Sequence, residues 1–145
     1  MADYKSLKDL FKSLEKKIEK AVQEKVPQVV EDEMISKIKT EVYAKYEPQE
    51  YVRKGVSGGL IDPENIESVN VPGGVRIRNI RDDISDETNE YRDVARIVEY
   101  GGPYEYSVDI DPRPFTEATR ESLRESGKHI DAVRKGLKEQ GLKVE

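Results

Sequence analysis

The sequence predicts an α+β protein, with a long N-terminal helical region, a small antiparallel β-sheet built around a hairpin, and a C-terminal helix. Three patterns carry that expectation. Apolar residues recur at three- and four-residue steps from Tyr4 to Val42, alternate on either side of Pro72-Gly73, and return to helical spacing after Pro114. At 145 residues the chain is expected to form one domain. It divides into a helical arm over 1–47, a sheet region with a short helix and an acidic loop over 48–111, and a helix within 112–145.

The first helix reads from Tyr4, Leu7, Phe11, Leu14, Ile18 and Ala21, with Lys5, Lys8, Lys12, Lys16 and Lys20 between them, which makes it amphipathic. Pro27 is expected to interrupt it, because proline removes a backbone donor and crowds the preceding turn. Val30, Met34, Ile38 and Val42 resume the four-residue step to about Tyr46. The pattern therefore predicts two helices or one kinked helix, ended by Pro48.

Tyr51 to Leu60 holds Gly55, Gly58 and Gly59 and reads as a loop. Residues 65–71 and 74–80 alternate apolar and polar positions around Pro72-Gly73, the signature of a β-hairpin. Arg76 and Arg78 would share its opposite face, most simply as a solvated surface. Arg81 to Glu90 is acidic, shows no clear period, and is read as a loop. Tyr91, Val94, Ala95 and Val98 form a short helical stripe that stops at Gly101-Gly102-Pro103.

Tyr104 to Ile110 reads as a strand or extended arm, and Pro112-Arg113-Pro114 must be extended because a residue before proline avoids helical geometry. Pro114 or Thr116 then opens the final helix, with Glu117 and Glu121 near its positive end. Its stripe is Leu123, Ile130, Val133 and Leu137. Gly127 is expected to cost that helix about 1 kcal/mol, and Gly136 or Gly141 to stop it.

Composition narrows the function classes. Hydrophobic residues make up 35% and charged residues 38%, so the core is thin and favours an elongated shape or an obligate oligomer. Cysteine is absent, which removes disulfides, thiolate metal sites and cysteine nucleophiles. No run reaches the length of a membrane span, and Met1 to Leu10 lacks a continuous apolar segment, so no membrane partner is expected and assembly in the cytoplasm is.

Charge is unevenly spread. Residues 81–111 hold three basic and ten acidic side chains, against seven and five in residues 1–25 and eight and six in residues 112–145. The acid is thus concentrated between two basic helical ends. A solvated loop explains this, and so does an electrostatic surface that meets a basic partner or repels nucleic acid.

Catalytic patterns are weak. Gly55-Val56-Ser57-Gly58-Gly59 matches G-x-S-x-G but lacks the preceding buried strand, the following helix and a histidine partner, and Pro63 forbids an immediate helix. His129, the only histidine, neighbours Asp131 on the last helix and is read as structural. Asp82, Asp83, Asp86, Glu87 and Glu90 lack the ligand spacing and central glycine of a calcium loop, and Asp109 with Asp111 suits a salt bridge as well as a metal. No catalytic, metal or cofactor site is expected. The lysine-rich first helix leaves a small nucleic-acid-binding or adaptor protein as the alternative, although Glu15, Glu19 and Glu24 dilute its charge.

A family resemblance adds to this reading. The run Val94-Ala95-Arg96-Ile97-Val98-Glu99-Tyr100-Gly101, followed after an arm by Arg113-Pro114-Phe115 at a helix start, resembles the siphophage tail-component family of neck and tail-completion proteins. Upstream, Tyr51-Val52-Arg53-Lys54-Gly55 and Gly59-Leu60 resemble the stretch that precedes that family's hairpin. Gly102 and Thr116-Glu117-Ala118 depart from its pattern.

The resemblance implies a non-enzymatic virion protein at the head–tail junction or tail. It would act as a tail terminator or head–tail joining subunit, forming a homo-oligomeric, hexameric ring that closes the tail tube or joins it to the connector. Its partners would be other neck, connector and tail-tube proteins, with DNA passing through unbound. Glu99, Tyr100, Gly101, Arg113, Pro114 and Phe115 then form the structural motif or subunit interface, with Phe115 anchoring the helix in the core and Arg113 placed to pair with Glu99 or a neighbour. Asp82, Asp83, Asp86 and Glu87 become candidate lumen or interface acids.

Overall fold

A computed structural model describes residues 4–44, 58–84, 88–103 and 109–144. Its backbone is α+β, as the sequence predicts: one long helix, short antiparallel strand pairs, and helices at the C-terminal end. The long helix α1 spans Leu7–Ile38 and passes into a single wider π-helical turn at Lys39–Tyr43. Ser6 caps its start by accepting the Asp9 N–H at 3.2 Å.

Pro27 does not interrupt α1. The expected break is overridden by contacts that straddle the proline. The Ala21 face packs against Gly136, Lys25 pairs with Glu139 at 2.7 Å, and Glu33 pairs with Lys128 at 3.2 Å. Tertiary contacts on both sides of the defect keep the helix continuous and offset a penalty of about 3 kcal/mol.

The hairpin forms around Pro72-Gly73 as expected, but its register sets Val69 opposite Arg76 and Ile77 opposite Ser68, so Val69 and Val71 share a face with Arg76 and Arg78 while Val75 and Ile77 lie on the other. Strand β1 (Ile66–Val71) pairs antiparallel with β2 (Gly74–Asn79), from Ile66 opposite Asn79 to Val71 opposite Gly74. Gly73 sits at φ +78°, which the turn after Pro72 demands and a side chain would resist. Arg76 and Arg78 are exposed, and Arg78 Nε donates to its cross-strand neighbour Glu67 at 2.7 Å. Polar ties fasten the tip to α1: Gln23 Nε2 donates to the Val71 and Gly74 carbonyls at 3.2 and 3.1 Å, and Glu19 accepts the Gly73 N–H at 2.9 Å.

Part of the acidic stretch is ordered into a sheet, contrary to the loop expected there. Strand β3 (Asp82–Ile84) pairs with β4 (Tyr91–Asp93). Tyr91 belongs to that strand rather than to the helix that follows. Helix α2 is Val94–Tyr100, capped by Asp93, whose carboxylate accepts the Arg96 N–H at 3.0 Å. Beyond Gly101, β5 (Gly102–Pro103) pairs with β6 (Asp109–Ile110). Among the described residues the strands thus fall into three two-stranded antiparallel ribbons rather than one sheet.

The C-terminal region is two helices where one is expected. Helix α3 covers Phe115–Ser126 and α4 covers Lys128–Glu139. Between them Gly127 adopts φ +68°, ψ +15°, a left-handed conformation open to glycine at little cost, so it ends one helix and starts the next instead of weakening a continuous one. Gly136 does not stop α4 but lies inside it, and the helix ends just before Gly141, at φ +87°.

The core gathers where α1 continues into its last turns. Met34, Ile38 and Val42 meet Leu60, Ile61 and Ile66 from the hairpin side, Val94, Ala95 and Val98 from α2, and Phe115 from α3. Helix α4 runs back along the middle of α1 and stops at Gln140, whose Nε2 donates to the Lys17 carbonyl at 2.8 Å.

Candidate functional site

Two places in the molecule hold the residues singled out by sequence: the joint between α2 and α3, and the face of β3 and β4. The joint exists because α3 begins badly. Its cap position is Pro114, which has no side-chain acceptor, so the N–H groups of the first turn need an oxygen from elsewhere. Glu99 on α2 supplies it. Its carboxylate, 8% exposed, accepts the Thr116 N–H at 2.8 Å and the Glu117 N–H at 3.1 Å. A negative charge at that end also complements the helix dipole.

Around this cap the other motif residues lock α3 to α2. The Arg113 N–H donates to the Val98 carbonyl at 2.8 Å, and Phe115, 1% exposed, fills the core beside Val98. Gly101 ends α2, giving its N–H to the Ile97 carbonyl at 2.7 Å and turning the chain at φ +78°. Tyr100 points the other way and is 74% exposed. Glu99, Gly101, Arg113, Pro114 and Phe115 are therefore brought together, while Tyr100 is left to the surface.

The acidic face is less open than its composition implies. Asp83 is turned onto Arg81 and Arg92, with oxygen to nitrogen distances of 3.5 and 3.6 Å, and also accepts the Ile84 N–H at 2.8 Å. It serves the ribbon rather than presenting a free carboxylate. Asp82, Glu90 and Asp93 are exposed, beside the exposed Ile80, Ile84 and Tyr91. Asp86 and Glu87 lie outside the described residues, as does Ser57 with most of its glycine-flanked motif.

Other candidates are placed as follows. Asp131 accepts from Arg134 at 3.1 Å, and His129 Nδ1 is buried without a hydrogen-bond partner among the described residues. Asp111 is exposed. Among the described residues no group of three or more potential ligands is placed to hold a metal, and no helix is long and apolar enough to cross a membrane.

One polar cluster escaped the sequence reading. Glu33 on α1 is 8% exposed, accepts from the Ser122 hydroxyl and from Lys128 Nζ, and ties α3 and α4 to α1. The Ser122 hydrogen bond, followed by Lys128, holds its carboxyl below the ordinary value, against the opposing effect of burial. Its signal was faint: a lone glutamate on the apolar side of a helix, one residue before Met34.

Comparison with known proteins yields a family and nothing finer. No curated protein and no solved structure matches the chain. The YomN family model matches residues 6–139, from the capping serine of α1 to the last residue of α4, and so the chain belongs to the YomN family.

Proposed function

We propose that this chain is a structural subunit of a tailed phage particle, a ring-forming neck or tail-completion protein that closes the tail tube or joins it to the connector. The observation that carries this reading is the use made of the motif residues. The two pieces of sequence that resemble the tail-component family, Val94–Gly101 and Arg113–Phe115, meet in space as one joint. Glu99 and Phe115 act there as a cap and an anchor, roles in architecture rather than chemistry.

The thin core and the large exposed apolar residues of the N-terminal half of α1 and of the β3–β4 ribbon support assembly as the way the chain completes its burial. A ring follows if one face of the subunit fits a different face of the next and the rotation closes.

The test is mass by light scattering over a concentration and salt series, followed by imaging of the largest discrete species. A species of about six subunits with an open centre is the expected result for a closed heterologous ring. A protein that remains monomeric at every concentration and salt would overturn the ring.

A further inference from the structure

The large apolar side chains left in water are not scattered. Four of them, Tyr4, Leu7, Phe11 and Ile18, form one stripe along the N-terminal half of α1, with Leu7 71% and Phe11 58% exposed. Helix α4 covers the continuation of that stripe at Ala21 but ends at Gln140, level with Lys17; Leu14 is half-buried, and Tyr4, Leu7 and Phe11 are left exposed. Residues 4–18 carry five lysines against Asp9 and Glu15.

A second group, Ile80, Ile84 and Tyr91, lies on the β3–β4 ribbon, with Ile84 59% and Tyr91 69% exposed. The exposed charged neighbours here are Asp82, Glu90 and Asp93 together with Arg78, which is paired with Glu67 at 2.7 Å, while Arg81 and Arg92 are drawn inward to Asp83, so the exposed balance stays acidic. The ribbon is bound to α2 through the Ala95 N–H on the Arg81 carbonyl at 3.0 Å, and α2 packs on Met34, Ile38 and Val42. It therefore sits at the C-terminal end of α1, whose length is about 48 Å at 1.5 Å per residue. The two apolar patches lie at opposite ends of the long axis and carry opposite charge.

We infer that the basic apolar stripe of α1 docks on the acidic apolar face of β3–β4 in a second copy of this chain, giving a head-to-tail contact. This rests on the self-assembly proposed above and adds the surfaces that perform it. Apolar contact supplies the attraction and is non-directional. The surrounding charges set orientation, because stripe on stripe would face lysine with lysine and ribbon on ribbon would face carboxylate with carboxylate. One end of each copy then remains open for the next.

The absence of cysteine makes the contact directly testable. Phe11→Cys and Tyr91→Cys each place one thiol at an exposed position. Carried on separate chains distinguished by a tag, and treated with a short bis-maleimide, the mixture should give the mixed crosslink severalfold above either like-with-like product. Asp82→Lys with Glu90→Lys should abolish that preference and weaken association at least about tenfold, a change worth about 1.4 kcal/mol. Adding Lys8→Glu and Lys12→Glu to the same chain should restore most of it.

If the wild-type protein forms oligomers but the mixed crosslink is not favoured, the contact is wrong while self-assembly stands. A wild-type protein that is monomeric at all concentrations removes self-assembly, and this contact with it.

Discussion

Between Ala21 and Val42 the long helix and its final turn lie against other elements, with Ala21, Met34, Ile38 and Val42 all below 5% exposure, whereas Tyr4, Leu7, Phe11 and Ile18, at the same apolar spacing, look into water. Helical periodicity is equally good in both halves. What differs is supply: α2, α3 and the base of the hairpin gather on the C-terminal half, α4 and the hairpin tip lie along the middle, and α4 runs out at Gln140 beside Lys17. An apolar stripe states that a surface is to be covered, and the length of the remaining chain decides whether the cover is internal.

The comparison can be broken hardest at Phe115. Phe115→Ala removes the largest fully buried side chain among the described residues and should cost about 3–5 kcal/mol in denaturant unfolding; a loss below about 1 kcal/mol would show that the core does not depend on this joint. Glu99→Ala comes next. It leaves two N–H groups of α3 without their acceptor and should cost about 2–3 kcal/mol. Glu99→Gln should recover part of this by retaining one acceptor oxygen, and equal losses in the two variants would contradict the capping role.

Gly136→Ala sets propensity against packing. Alanine favours the helix by up to about 1 kcal/mol. Its Cβ, however, would lie 2.9 Å from Ala21 Cβ and 3.2 Å from Ala21 Cα. Overpacking of that kind costs about 1–3 kcal/mol, so the net change should be destabilising by about 1 kcal/mol, and a gain in stability would show that α4 can move off α1.

Glu33 gives a pH signature. Its folded-state pKa is lowered from an ordinary value near 4.5, so its contribution is fully present above that value and is lost as pH falls through and below it. Glu33→Gln should therefore be less stable than wild type near neutrality by about 1 kcal/mol, and the two should converge in acid. A gap that widens on acidification would contradict the assignment.

The smallest effect on stability belongs to the exposed half: Phe11→Ser should change unfolding by no more than about 0.5 kcal/mol, while lowering the apparent mass at a given concentration.

Much of this was legible in the sequence. The α1 stripe, the Pro72-Gly73 hairpin, the short α2 and the helix start after Pro114 follow from spacing and turn chemistry. The misses share a cause. Pro27 and Gly127 are both poor helix residues, yet one is held inside a helix by contacts from α4 and the other separates two, because tertiary packing acts at the first and a free turn at the second. β3 and β4 were hidden because strands of three residues carry too few positions to show a period.

For the site, Glu99 and Phe115 stand out in the sequence through the family resemblance, but nothing in that resemblance points to the backbone of α3 as the partner of Glu99. A helix opening on Pro114 with no polar cap residue was the available clue.

The most direct measurement is amide hydrogen exchange along α1 as a function of protein concentration. The account predicts that amides from Phe11 to Lys16 exchange quickly in dilute solution and gain protection as the protein associates, while those from Met34 to Ile38 are protected at every concentration. Strong protection of both halves in dilute monomer, unchanged by concentration, would contradict it.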